Sequence, residues 1–162
     1  MRKTEDEIAA SPRIPAAGEG KRGSEGHIGY LLRQAGAATR QRVEHALDDL
    51  GVTHPQFIVM TMIGAYPGLS NADLARLAML TPQTVSVIVG NLKKMGAVES
   101  RRHATHGRIQ QLALSESGKE TLRRCRGRVD RIERSLVDGV SAADEAVIRR
   151  WLAGLATDAP VE

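Results

Sequence analysis

Two helix-start signals stand eleven residues apart in the middle of the chain, at Ser70 and Thr81. Asp73 follows Ser70 by three residues, so each side chain is placed to serve the other's backbone N–H. Pro82 follows Thr81, and its missing N–H costs nothing in the first position of a helix. So little chain between two starts leaves room for one short helix and a turn at Met79-Leu80. The second helix then runs to Gly96, which supplies a left-handed stop. Beyond it, residues 98–102 and 108–114 read as two short strands around the loop His103-Ala-Thr-His-Gly107. Helix, tight turn, helix and basic hairpin therefore fill residues 70–108, and the remaining elements have to support them.

The faces of these helices say what they are for. Leu74, Leu77 and Ala78 point inward from the first helix, and Val85, Ile88, Val89 and Leu92 form one apolar stripe on the second. The opposite face of the second helix carries Gln83, Thr84, Ser86, Val87, Gly90, Asn91 and Lys94. Its first three turns hold no charge, which is unusual for a face turned to water. Gln, Ser, Thr and Asn hydrogen-bond base edges, and Val packs on a thymine methyl. Ser70, Thr81 and Pro82 flank this face at the helix starts, while Lys93, Lys94 and the helix N-terminus suit phosphates. Arg101, Arg102, His103, His106 and Arg108 make the hairpin basic and fit it to a minor groove or the flanking phosphates. The pattern is a helix-turn-helix followed by a wing, and all these residues are candidate DNA contacts. Charge agrees with it: residues 81–134 hold twelve basic side chains against five acidic, and that segment supplies the whole basic excess of a chain with net charge +4. Such clustering is the footprint of a polyanion partner. The two histidines have no Cys or carboxylate beside them, so no metal or cofactor is expected.

The flanking segments read as support. Residues 1–26 are rich in Pro, Gly, Ser and charge without an apolar period, which predicts a disordered tail; residues 158–162 read as a frayed end. A helix starts at Ile28, with Leu31, Leu32, Val43, Leu47 and Leu50 at helical steps and Gly51 as its stop. Thr53 and Gln56 form a capping box with Pro55 in the first turn, and the run Phe57 to Ile63 is apolar all round, so the next helix should be central. Ser115 or Ser117 caps a long helix to about residue 137. On it Leu122, Cys125, Val129, Ile132 and Leu136 step by three and four, the seam of a packed helix pair. Cys125 reads as a small seam residue and not as a redox switch. The last helix begins at Ser141-Ala-Ala-Asp144, and its apolar face is Val147, Ile148, Trp151, Leu152 and Leu155.

The apolar faces of the first and last helices find no partner inside a small winged unit, so they predict a helical dimer. The candidate interface is Ile28, Leu31, Leu32, the seam residues, Val147, Ile148, Trp151 and Leu155. The expected fold is mainly α. It is a winged helix-turn-helix (three helices plus a β-hairpin wing, residues 53–114) with dimerisation helices at 27–51 and 115–157, all within one domain at 27–157. Aromatic residues are 2% of the chain, so the core has to be aliphatic. The single Cys excludes an intramolecular disulfide. No apolar run reaches the roughly 18 residues of a membrane span, so a cytoplasmic protein without a membrane partner is expected. No nucleophile–base pair, phosphate loop or carboxylate pair argues for an enzyme.

From about His27 to Leu155 the order of elements resembles the MarR family of bacterial transcription regulators. Leu69-Ser-Asn-Ala-Asp-Leu-Ala is similar to the start of that family's helix-turn-helix. The run Thr84 to Val98 is similar to its reading helix. Arg101-Arg102 through Arg108, then Leu114-Ser-Glu-Ser-Gly118, resembles its wing and the start of its long helix. The resemblance implies a homodimer whose second helices read two major-groove half-sites of a pseudo-palindromic operator in double-stranded DNA, with wings in the adjacent minor groove. It implies a cytoplasmic repressor, nucleoid-associated when bound, that is released by a small phenolic or anionic effector. The effector site would lie where the first, second and fifth helices meet, with Tyr30, Arg33, Gln34, Arg40 and His54 as polar liners. Three departures stand out. His106 replaces the Asp that usually braces the wing Arg, here Arg108. Val87 stands where Arg is frequent. The first helix has no Cys, which argues against oxidation sensing. A helical adaptor that binds protein through the winged-helix surface is the alternative.

Overall fold

The computed structural model describes residues 14–102 and 110–157; side chains at 101, 102 and 110 are outside that description. The elements are α1 (Ile28–Leu47), α2 (His54–Ala65), α3 (Asn71–Ala78), α4 (Pro82–Lys94), β1 (Val98–Arg102), β2 (Gln110–Leu114), α5 (Glu116–Ser135) and α6 (Ala142–Thr157). Helices α2 to α4 with the hairpin form the expected winged helix-turn-helix. Contacts divide the chain into two units, one up to Thr39 and one from Arg40 onward, so the cut falls inside α1.

In the first unit, residues 14–26 are not the featureless tail that composition predicts. Gly20–Arg22 form a 3-10 turn. The Arg22 guanidinium donates to the Pro15 carbonyl at 2.7 Å and to Gln34 Oε1 at 3.3 Å, and Gln34 Nε2 donates back to the Arg22 carbonyl at 3.0 Å. Composition misses this turn because a few hydrogen bonds hold it and no apolar face does. Ile28 and Leu32 are exposed on α1.

The second unit holds the core. After α1 a short 3-10 turn, Asp48–Leu50, ends at Gly51 with φ 66°. Thr53 caps α2 as expected: Thr53 Oγ1 accepts from Gln56 N, and Gln56 Oε1 accepts from Thr53 N at 2.9 Å. Ser70 and Asp73 make the same box on α3, and Thr81 with Pro82 opens α4. Between α3 and α4, Met79 takes the left-handed conformation at φ 53° and is 90% exposed. A side chain costs free energy there, and only the shortness of the turn imposes it.

The core is aliphatic. Val43 and Leu47 of α1 join Val59, Met60 and Ile63 of α2, Leu74 and Ala75 of α3, the Val85–Ile88–Val89–Leu92 stripe of α4, and Leu112 and Leu114 of β2. One inward assignment fails: Leu77 is exposed, and Ala75 is buried in its place. Leu74, Ala75 and Ala78 form the buried edge of this two-turn helix, and Leu77 lies just off it.

The long helix requires the main correction. Leu122, Cys125 and Val129, expected to face a second copy, are buried in the chain's own core, and Ile132 packs against it. A three–four repeat records a packed stripe but not whether the partner is inside or outside the chain. Here the partner is α2. Of the seam, only Leu136, just past α5, is exposed. Helix α6 has no buried residue, and Val147, Ile148, Trp151, Leu152 and Leu155 are all exposed. The far half of α5 is tied to the end of α1 by Arg128. Its guanidinium makes two 2.8 Å bonds to Asp49 and one of 3.3 Å to the Ala46 carbonyl. The Arg128 hydrogen bond holds the Asp49 carboxyl below the ordinary range.

Two serines fix where α5 begins. Ser115 caps the helix, its Oγ accepting from Gly118 N at 3.0 Å. The hydroxyls of Ser115 and Ser117 donate to the Gly96 carbonyl at 2.6 and 2.9 Å. The root of α5 is thus bonded to the stop of α4 and, through Ser115 N to the Ala97 carbonyl at 3.1 Å, to the residue just before β1. Among the described residues no helix is long and apolar enough to cross a membrane.

Candidate nucleic-acid interface

The outward face of α4 is built from its start. Thr81 Oγ1 accepts from Thr84 N at 3.1 Å and lies 2.8 Å from Thr84 Oγ1. The first turn holds no acidic residue, so nothing neutralises the partial positive charge of the helix N-terminus. Gln83, Thr84, Ser86, Val87, Asn91, Lys93 and Lys94 are exposed, while the Val85–Leu92 stripe anchors the other side. Val87 is 60% exposed in the middle of this face. Such a surface offers amide groups, hydroxyls and one branched aliphatic at helical spacing, with cations only at its far end. It can read base edges while the helix terminus takes a phosphate.

Not every expected contact is equally free. The Ser70 hydroxyl donates to Asp73 Oδ2 at 2.6 Å and accepts from Asp73 N, so it is committed to capping α3. Ser86 Oγ donates to the Pro82 carbonyl at 2.9 Å within α4. Lys93 Nζ reaches Ser100 Oγ of β1 at 2.5 Å, which turns it toward the wing. Gln83, Asn91 and Lys94 are exposed and carry no such commitment among the described residues. Asn71 is a neighbour that the sequence reading missed; its Nδ2 lies 3.5 Å from Ser86 Oγ. Its position directly after the α3 cap, exposed and polar, was the available signal.

The wing strands pair antiparallel, with Val98 opposite Leu114, Ser100 opposite Leu112 and Arg102 opposite Gln110. Arg101 and Arg102 lie on β1 by backbone position. His103, His106 and Arg108 lie outside the described residues.

The effector liners implied by resemblance fall in both units. In the first, Arg33 stands over the Tyr30 ring at 5.7 Å from its centroid, and Gln34 is bonded to Arg22. In the second, His54 lines a cleft with Glu44, Asp48 and Thr53. Burial depresses the His54 pKa and nearby Arg40 adds to that, with Glu44 opposing. Two carboxylates beside an imidazole whose charged form is disfavoured are poor company for an anion. Burial also pushes the Cys125 thiol up, against Arg124 and Arg128, which suits an inert core residue.

A family model described as the MarR family matches residues 50–109. The chain is 33% identical over 131 residues to the HTH-type transcriptional repressor Rv2887 of Mycobacterium tuberculosis, covering 81% of this chain and 94% of that one. The structure of Rv2887 in complex with DNA superposes with a TM-score of 0.65 at 32% identity, over 80% of this chain and 97% of the other. Its complex with p-aminosalicylic acid gives a TM-score of 0.65 at 31% identity, over 80% and 98%.

Proposed function

The chain belongs to the MarR family, and on that premise we propose that it is a dimeric, sequence-specific DNA-binding transcriptional regulator and not an enzyme. It represses by occupying a pseudo-palindromic operator and lets go when a small carboxylate effector binds. Such a protein works where bacterial DNA is, in the cytoplasm, on the nucleoid when bound. The observation that carries the reading is the exposed, uncharged face of α4, with Gln83, Val87 and Asn91 outward beside a helix N-terminus free of acids. Arg101, Arg102, His103, His106 and Arg108 then supply the wing's contacts to the flanking minor groove and phosphates.

Footprinting on a promoter fragment tests it. A two-fold related protected site is expected. Gln83→Ala should cut discrimination at one base position of each half-site by about 1–3 kcal/mol while leaving other positions unchanged. Protection without sequence preference overturns the reading.

The dimer rests on α6. Val147, Ile148, Trp151 and Leu155 form an exposed apolar face on a helix that buries nothing in its own chain. Single apolar residues on a surface are ordinary, but a whole helix face of them marks an interface. Trp151→Asp should yield a monomer in sedimentation, with the unfolding of the reader unit unchanged and operator affinity sharply reduced. A variant that remains dimeric removes α6 from the interface.

A further inference from the structure

Among the described residues the buried polar side chain is Gln56, 9% exposed. Its Oε1 is committed to the capping box of α2, where it accepts from Thr53 N. That leaves the amide N–H group to be satisfied inside the protein. Its partner among the described residues is a sulfur: Gln56 Nε2 donates to Met95 Sδ at 3.9 Å. A thioether is a weak acceptor, and a buried donor with a poor partner costs the fold free energy. Met95 is the C-cap of α4, its N–H on the Asn91 and Lys93 carbonyls. The contact therefore fastens the last turn of α4 to the start of α2, and does so weakly.

Met95 is also within reach of solvent. It is 49% exposed and Met79 is 90% exposed, whereas Met60 is fully buried and Met62 is partly buried against the core. Cys125 is fully buried. The open sulfur of the described residues is thus thioether sulfur, and it stands just before and at the end of α4. Oxidation turns such a side chain into a polar sulfoxide. At Met79 the change has nothing to act on, because its side chain has no hydrogen bond among the described residues. At Met95 the new oxygen falls into the gap to Gln56. An N–H···O bond of about 2.9 Å, bent at the oxygen, together with one sulfur–oxygen bond spans the distance between Nε2 and Sδ. A strong acceptor thus enters without moving either helix. The unbranched side chain lets either sulfoxide epimer turn its oxygen inward.

We propose that Met95 is an oxidation site at which a hydroperoxide converts a weak fastening of α4 into a strong one. The sulfur lone pair attacks one peroxide oxygen, and the O–O bond breaks as the S–O bond forms. The attacked oxygen passes its proton to the departing one, which leaves as water from hydrogen peroxide. Sulfur is oxidised by two electrons and the peroxide is reduced by two. The change is reversible, since reductases return methionine sulfoxide to methionine. Oxidised methionine ordinarily loosens a fold; here a buried amide gains the acceptor it lacks, and the fold tightens. A firmer α4 is also better preorganised for its operator. This regulatory half rests on the proposed function, whereas the modification itself does not.

The test treats the full-length protein with hydrogen peroxide, maps sulfoxides by mass spectrometry and records thermal melting. Met79 and Met95 should convert while Met60 and Met62 stay reduced. The Tm should rise on oxidation by about 2–5 °C, the shift of one added hydrogen bond. Met79→Leu should show the same rise, and Met95→Leu should lose it. Gln56→Glu keeps the capping box of α2 but sets a second acceptor against the sulfoxide, so oxidation should lower its Tm. A wild-type Tm that falls or stays level, an equal rise in Met95→Leu, or a Met95 that stays reduced while Met79 converts overturns the site. In gel shifts, oxidised wild type should hold its operator about two- to tenfold more tightly than untreated protein. Unchanged operator affinity in a protein whose Tm has risen overturns the regulatory half alone. An untreated protein that fails to recognise any DNA sequence overturns the regulator reading and leaves the melting result standing.

Discussion

Gly118→Ala should destabilise the reader unit by about 3 kcal/mol or more, among the largest effects any single methyl group has on this chain. A Cβ at Gly118 would overlap the Ala97 carbonyl oxygen and lie 2.8 Å from the carbonyl carbon. Both sides of that contact are backbone, so no rotamer change relieves it. Nor can Ala97 retreat cheaply. Its carbonyl accepts from Ser115 N at 3.1 Å, and its own N–H donates to the Leu92 carbonyl at 2.9 Å. Moving α5 away would also break both serine bonds to Gly96. Urea unfolding followed by circular dichroism measures the loss. Gly127→Ala on the same helix is the control, because a Cβ there meets nothing within 4 Å. It should gain about 0.5–1 kcal/mol from reduced unfolded-state entropy. Equal stability of the two variants would show that the root of α5 has room the structure does not give it.

Val87→Glu should lower operator affinity about 100-fold or more with the melting curve unchanged. Val87 is 60% exposed, and surface substitutions of that kind stay within about 0.5 kcal/mol. On the face we propose for DNA, a carboxylate there would forgo an apolar contact with a thymine methyl and set like charge against phosphate, a juxtaposition worth several kcal/mol. Val87→Arg, by the same geometry, should tighten binding, steepen its salt dependence by about one phosphate contact and favour guanine at one position per half-site. Gel shifts across a salt series separate the two variants. A Glu variant that binds as wild type takes the centre of α4 out of the interface.

The parts of this fold that were legible in sequence are those set by short-range chemistry. The caps at Thr53, Ser70, Thr81 and Ser115 each rest on residues within three positions of one another, and each forms as read. The Val85–Leu92 stripe is equally local. What sequence could not distinguish was whose surface an apolar stripe meets. The stripe through Leu122 and Val129 and the face around Trp151 look alike in sequence, yet one is core and the other is exposed. The assignment depends on α2, more than fifty residues earlier, which has no polar face of its own and takes α5 as its cover. Gly64, where a Cβ would stand 3.3 Å from both Leu114 and Leu122, was silent for a related reason, and Gly118 entered only as the last residue of a family motif, with no role attached. A glycine's role here is the approach of another segment, and that segment is named only by the fold. The bond from Gln56 to Met95 was illegible too, because its partners come from two separate elements. Ser117, read as a possible cap, has its function in a bond to Gly96, twenty-one residues back.

The anchored root of α5 makes the helix a lever. Its 20 residues span about 30 Å, and Gly118 fixes its fulcrum against Ala97 within the first turn. A swing of roughly five degrees about that point carries the far end, about 25 Å away, through roughly 2 Å. On B-DNA, half-sites one turn apart leave a dimer about 34–36 Å between reading helices. In a dimer joined near the far end of α5, a displacement at the fulcrum too small to disturb the core becomes a misfit in phase between two readers. Operator choice in such a molecule is then a matter of length and angle as much as of the side chains that touch bases.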